Sequence, residues 1–307
     1  MRLVIIGQQA FGKAVLDKCL ERGHEVAAVF VPPQKPGSKP DPLRAGAQEK
    51  GIAVYDPAKY TAPEPHEVLE KLSPEIALMA YVTAFVPQSF VNLPKHGTVQ
   101  FHPSLLPLHR GPSSINWAVM QGRTETGLTI FRPTDGLDEG PVILQKRVAI
   151  GPDDTTGSIY FDKIFPLGVE AIVEAAELVV AGRHTETIQD ESKATYEGWV
   201  KEAECRINWA NHVDFTYNVI RGCNPAPGAW TTVDGKKLTI FDARKHIAPT
   251  FGAVKGKKLG QITEVGPKSF TVHGQGGFIE VFRCRIGDGP KIAANEAGLA
   301  AGIVLGS

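Results

Sequence analysis

The chain has 307 residues, 42% hydrophobic and 21% charged, a globular mixture long enough for two domains with ordinary cores. Its 33 Lys and Arg balance its 33 Asp and Glu, which speaks against a protein devoted to nucleic acid, since that work leaves a basic excess. Four cysteines without CxxC spacing argue against a zinc knuckle or a disulfide framework. With no signal peptide and no apolar run of about 18 residues, a soluble, cytoplasmic protein is expected.

Arg2–Ile6 is a short apolar run with the pattern of a strand buried on both faces. Gly7–Gly12 turns, Lys13–Arg22 is periodic through Ala14, Val15, Cys19 and Leu20, and Gly23 stands where a helix ends. Glu25–Phe30 supplies a second strand and completes a βαβ unit. Val31–Leu43 holds five prolines and one glycine. It is expected as a long loop at the ligand-binding edge of the sheet, either a mobile surface segment or one that faces substrate.

A third strand at Ile52–Tyr55, a helix near His66–Leu72 and strands at Glu75–Tyr81 and Gly97–His102 follow. A helix near Ser114–Gln121 comes next, then two paired strands flanking TDGLDEG, Thr134–Gly140. The alternation predicts an α/β domain with a mostly parallel, doubly wound sheet. A long amphipathic helix after residue 155 closes it. From about Ile207 the composition changes to short strands, with turn dipeptides at Asp234-Gly235, Gly274-Gln275 and Gly276-Gly277. A small OB-like β-barrel fits that pattern. Two domains are therefore expected, 1–205 and 206–307, with a linker around Gln189–Ala210.

GQQAFG is GxxxxG rather than GxGxxG, has no Lys-Ser/Thr tail, and no acidic residue ends the second strand. Neither a P-loop nor a nicotinamide site is expected from it. The dense stretch is Val99–Trp117. His102 ends a strand, where polar side chains project into the ligand crevice of an open α/β sheet, and Pro103, Pro107 and Gly111-Pro112 make the following loop rigid. A lone histidine of this kind is usually a hydrogen-bonded core residue. The structured loop behind it, with a second histidine and an arginine, favours function. Asp138, in a loop longer than a plain hairpin needs, reads equally as a turn-capping residue or as a general base that partners a histidine.

HPSLLP, followed 36 positions after its histidine by the Asp of DGLDEG, resembles the signature of the 10-formyltetrahydrofolate-dependent formyltransferases. The similarity extends through GQQAFG, the KATYEGWVKEAECRINW stretch and IRGCNPAPGAW. Within the family it is greater to the hydrolase domain of 10-formyltetrahydrofolate dehydrogenase, then to methionyl-tRNA formyltransferase. The resemblance implies a Rossmann-like formyltransferase domain followed by the OB-like domain. It implies that His102 and Asp138 are the catalytic pair and that Gln100 occupies the position of an oxyanion-holding amide. Transferases of the family carry Asn there, and the dehydrogenase's hydrolase domain an apolar residue. Folate would be cradled by Met79, Ala80, Tyr81, Phe85, Val86, Ser104, Leu105, Pro133, Asp135, Gly136 and Leu137. The donor implied is 10-formyltetrahydrofolate, with neither metal nor NAD.

The leading expectation is removal of the formyl group to water or a small amine. Methionyl-tRNA is the nearest rival acceptor, set back by zero net charge and by only two lysines in Pro32–Leu43. An amino sugar is a further acceptor, and a non-catalytic folate-binding protein is the alternative from another class. The chain ends at Ser307, about where the hydrolase domain ends in the dehydrogenase, so oxidation of the formyl group by this chain is not expected. The acceptor, the oligomeric state and the role of the second domain are left open.

Overall fold

The short apolar runs form one seven-stranded sheet in the order β3-β2-β1-β4-β5-β6-β7. The strands are β1 (Arg2–Gly7), β2 (Glu25–Phe30), β3 (Ala53–Tyr55), β4 (Ile76–Ala80), β5 (Thr98–His102), β6 (Glu125–Phe131) and β7 (Val142–Ala149). β1 to β5 pair in parallel, and β6 runs antiparallel to β5. The structure is a computed structural model that describes residues 1–248 and 256–306. Residues 249–255 and 307, which belong to the expected second domain, lie outside the described residues.

Helices α1 (Gln9–Glu21), α2 (Pro42–Glu49), α3 (Pro63–Leu72), α4 (Gln88–Val91) and α5 (Ser114–Met120) connect the strands. A long helix follows, in which α6 (Thr156–Ser158) continues through a π-helical stretch, Ile159–Ile164, into α7 (Phe165–Val180). α2 is absent from the sequence reading, which ran the proline-rich loop through Leu43. The last proline of that loop, Pro42, instead opens a helix, where its missing N–H and fixed φ cost nothing. Asp41 caps it, accepting from the Leu43 N–H at 2.9 Å, and its other oxygen accepts from the Gln9 N–H at 2.7 Å. One aspartate thus ties the end of the loop to the turn after β1.

Two compact units result. Where the sequence reading divides the chain once, after residue 205, the units interleave: one comprises Met1–Pro112, Gly127–Val148 and Phe161–Glu197, the other Ser113–Thr126, Ala149–Tyr160 and Gly198–Ser307. The second unit holds α5, helix α8 (Val213–Gly222), and strands β8 (Ala229–Val233), β9 (Lys236–Ile240), β10 (Ala243–Ile247) and β11 (Ile262–Val265). Strands β12 (Phe270–Gly274), β13 (Gly277–Val281), β14 (Arg283–Ile286) and β15 (Ile292–Ala293) complete it. These strands make two four-stranded antiparallel sheets around a core that includes Trp209, Tyr217, Ile240 and Phe270. The expected antiparallel strands are present, and so is the Asp234-Gly235 hairpin, with both residues at positive φ (48° and 72°) as a type I′ turn demands. α8 was not foreseen. Its β-branched and aromatic residues suit a strand, yet Val213, Thr216, Tyr217, Ile220 and Arg221 are buried at helical spacing. No helix of the described residues is long and apolar enough to cross a membrane.

The glycines of GQQAFG serve close packing. Gly7 lies against β4, where a Cβ would stand 2.3 Å from the Ala80 carbonyl oxygen, and Gly12 packs on Leu43. Forcing a methyl group into such a site costs about 1–3 kcal/mol. Gly7→Ala is therefore expected to lower the urea-unfolding free energy by about that amount, and an unchanged midpoint would contradict this packing.

Candidate active site

Alternation along β5 decides which side chains share a face. Val99 and Phe101 point one way. Phe101 lies 4.4 Å from the ring of Phe11, and α7 passes so near that a Cβ on Gly168 would meet it at 2.5 Å. Thr98, Gln100 and His102 point the other way. His102 is the last residue of the strand, and the chain then folds back over it. The Ser104 hydroxyl donates to the Leu108 carbonyl at 2.7 Å. From β6, the Thr129 hydroxyl donates to the Ser104 carbonyl at 2.7 Å and accepts from the Leu106 N–H at 3.1 Å. This pinning delivers the carbonyl oxygen of His109 to within 2.9 Å of His102 Nε2.

The second half of the site comes from the loop joining β6 to β7, closed at its base by the Arg132 N–H on the Pro141 carbonyl at 2.9 Å. Asp138 takes a left-handed conformation there, φ 54°. Its Oδ2 lies 3.5 Å from His102 Nδ1 and accepts from the Gly111 N–H at 2.9 Å. His102 and Asp138 are 6% and 8% exposed, so the pair interacts with little solvent screening. The Nε2–H of His102 is committed to a carbonyl. A neutral ring would therefore turn its Nδ1 lone pair toward the carboxylate, whereas a ring protonated on both nitrogens makes the contact attractive. At 3.5 Å the contact is longer than a charge-assisted hydrogen bond, about 2.7–2.9 Å, which leaves Nδ1 able to reach a third atom. Gln100, in register with Met79 on β4 and Phe131 on β6, makes no side-chain hydrogen bond to a described residue.

The residues expected to cradle folate fall into three groups. Met79, Ala80 and Val86 are buried, and Met79 and Val86 belong to the apolar cluster on the Gln100 face of the sheet. Tyr81, Phe85 and Leu137 are large, apolar and exposed at 44%, 61% and 55%, which is unusual enough to need a reason. Asp135, Gly136 and Pro133 shape the Asp138 loop: Asp135 accepts from the Gln88 N–H at 2.8 Å and so ties this loop to the segment after β4. Ser104 and Leu105 stand apart from all three, since the Ser104 hydroxyl is already engaged and Leu105 packs beside Gly127.

A cavity of about 270 Å³ lies along the Thr98 end of this face, lined by Gln88, Val91, Asn92, Arg132, Pro133 and Thr134 among others. Of the expected folate contacts only Pro133 lines it. The hydroxyl of Thr134 is buried without a hydrogen-bond partner. No group of three His, Cys, Asp or Glu among the described residues is arranged to hold a metal ion. The segment Gln189–Glu197, expected as the start of a linker, instead contributes to the site. Thr195 and Glu197 both engage His109, whose N–H donates to the Thr195 hydroxyl at 2.7 Å and whose ring meets Glu197 at 3.1 Å. Only the position of a second histidine beside His102 hinted at this.

Two family profiles match the chain: "Formyl transferase" over residues 1–176 and "Formyl transferase, C-terminal domain" over residues 200–298. The chain belongs to the formyl transferase family. It is 34% identical over 306 residues to the mitochondrial 10-formyltetrahydrofolate dehydrogenase of Mus musculus, covering 96% of this chain and 33% of that protein. It thus spans about a third of the length of that relative. It is 35% identical over 277 residues to the methionyl-tRNA formyltransferase of Geobacter sulfurreducens, covering 89% of this chain and 85% of that one. The fold is shared with HypX from Aquifex aeolicus, crystallised with tetrahydrofolic acid (TM-score 0.70, 18% identity, 96% of this chain and 46% of that one).

An unpartnered buried hydroxyl destabilises the empty protein, and a methyl group in its place removes that penalty. Thr134→Val is expected to leave the melting temperature unchanged or to raise it, by about 1 kcal/mol of stability. A loss of stability of that size would show that the hydroxyl has a partner.

Proposed function

We propose that this chain removes the formyl group of 10-formyltetrahydrofolate, with water or a small amine as acceptor. The observation that carries the reading is the buried His102–Asp138 pair at 3.5 Å, with an unengaged amide at Gln100 on the same strand face. The names of the relatives support it, and so does the cavity. A space of about 270 Å³ suits a bicyclic ring rather than a whole folate. The Thr98 end of β5 shares its face with Gln100 and His102, about 7 and 13 Å along the strand, so a donor laid along that face passes both. The Thr134 hydroxyl gives that ring a polar partner. The exposed Tyr81, Phe85 and Leu137 offer cover for the rest of the donor.

In this reading the nucleophile attacks the formyl carbon and its proton passes to Asp138. The developing oxyanion takes the Nδ1–H of His102 and the amide N–H of Gln100. Collapse of the tetrahedral intermediate breaks the bond to N10, which receives a proton from the pair. Tetrahydrofolate leaves, together with formate when water attacks or a formamide when an amine does. Gln100 is one methylene longer than the Asn of the transferases, so its donor reaches a different point, and such geometry matters at the ångström level.

Transfer to an aminoacyl-tRNA is the second reading, favoured by the match over 85% of the Geobacter sulfurreducens enzyme. A zero formal net charge weighs against a large tRNA surface.

Incubation with 10-formyltetrahydrofolate alone, followed by chromatography of tetrahydrofolate, separates the readings. Release without added amine supports water as acceptor, whereas release only with charged initiator tRNA or an amino sugar sinks the hydrolytic reading. No release with any of them overturns the donor. His102→Ala and Asp138→Ala are each expected to slow turnover by about 10²–10³-fold, the scale for loss of an oxyanion donor or a positioned acid–base group.

A further inference from the structure

We propose that Gln189 is the positioning residue for Asp138, clamped in place by the buried guanidinium of Arg110. The inference rests on reading His102 and Asp138 as the reacting pair.

Gln189 is 6% exposed, so it is placed to act through its neighbours. Its amide nitrogen donates to the carbonyls of Asp138 at 2.9 Å and Gly140 at 2.7 Å. Its amide oxygen accepts from Arg110 Nε at 3.2 Å and Nη2 at 2.8 Å. Both donors and both lone pairs are engaged, so the amide has one satisfied orientation. A flipped amide would face the guanidinium with N–H groups and the two carbonyls with an oxygen.

Arg110 is 0% exposed, the largest fully buried side chain among the described residues. Besides Gln189 it donates from Nη1 to Glu191 Oε2 at 2.9 Å and to the Tyr196 hydroxyl, and from Nη2 to Glu191 Oε1 at 2.6 Å. All five guanidinium N–H groups therefore have acceptors. The hydrogen bond to Glu191 holds the guanidinium in its charged form against burial, and the same bond keeps the Glu191 carboxyl below its usual range. A charge buried and saturated in this way is a rigid point.

The location of Arg110 gives the clamp its meaning. Its predecessor His109 supplies the carbonyl that binds His102, and its successor Gly111 supplies the N–H that binds Asp138. The side chain of Arg110 closes the ring through Gln189 to the backbone of Asp138 itself. Asp138 sits in a left-handed conformation, which non-glycine residues hold only where surroundings over-determine it. The two hydrogen bonds from Gln189 supply that constraint, and with it the direction of the carboxylate toward His102.

The test uses Gln189→Glu, which keeps acceptors for Arg110 but turns an oxygen toward the Asp138 and Gly140 carbonyls, and Gln189→Met, which keeps volume and removes both functions. Nitrogen-15 spectra of the His102 ring at one fixed pH, without donor, report its protonation pattern, with Asp138→Asn as the reference. The variants are expected to move the His102 signals toward those of Asp138→Asn. Turnover of 10-formyltetrahydrofolate is expected to fall at least tenfold in kcat with KM little changed. Signals unchanged in both variants while Asp138→Asn shifts them, or lowered stability with kcat retained, overturn the proposal. If Asp138→Asn itself leaves His102 unmoved, the pair is misread and the proposal falls with it. If no donor is turned over but the signals follow Asp138→Asn, the positioning stands and only the reaction assignment falls.

Discussion

The candidate site depends on burying an imidazole and a carboxylate together while giving both ring nitrogens and one carboxylate oxygen a partner. An isolated buried charge costs several kcal/mol, and a pair is tolerated only where its remaining donors and acceptors are satisfied. His102 takes one carbonyl and one carboxylate, and Asp138 takes one peptide N–H in addition to the ring. Each of those partners lies on a loop whose shape must itself be held. The hydroxyls of Ser104 and Thr129, the left-handed residues His109 and Asp138, and the Arg132–Pro141 closure follow from that requirement.

Periodic apolar patterning is a local property, and the parts of the fold built on it were legible. Every strand of the parallel sheet, the long α7 and the Asp234-Gly235 hairpin stand within a few residues of where alternation and turn chemistry put them. The nearness of His102 and Asp138 was legible through likeness to a family, since Asp138 by itself read two ways. The helix at Pro42 was hidden because its first residues belong by composition to a proline-rich loop. α8 was hidden because its side chains suit a strand and only burial at helical spacing reveals it. Gln189 left no signal at all. Its partners lie 51 and 79 positions away along the chain, and no local pattern carries such separations.

The division of labour around the sheet is also physical. The face that carries Phe101 is packed by aromatic side chains against α1 and α7. The opposite face keeps a cavity, an unengaged amide and an unpartnered hydroxyl. A dense face gives the strand one fixed position, and that position is what lets the other face present its groups without wavering.

The remote Gln189 also imposes an order of assembly. A ribosome adds about 5–20 residues per second. The peptide that carries Asp138 therefore emerges about 3–10 s before the side chain that anchors it, 51 positions later. In that interval the strands of the sheet can pair, but the left-handed turn at Asp138 lacks its amide clamp and Arg110 lacks its acceptors. A cationic guanidinium is costly to bury without its acceptor, so the arrangement around Arg110 is complete only once Gln189 and Glu191 have left the exit tunnel.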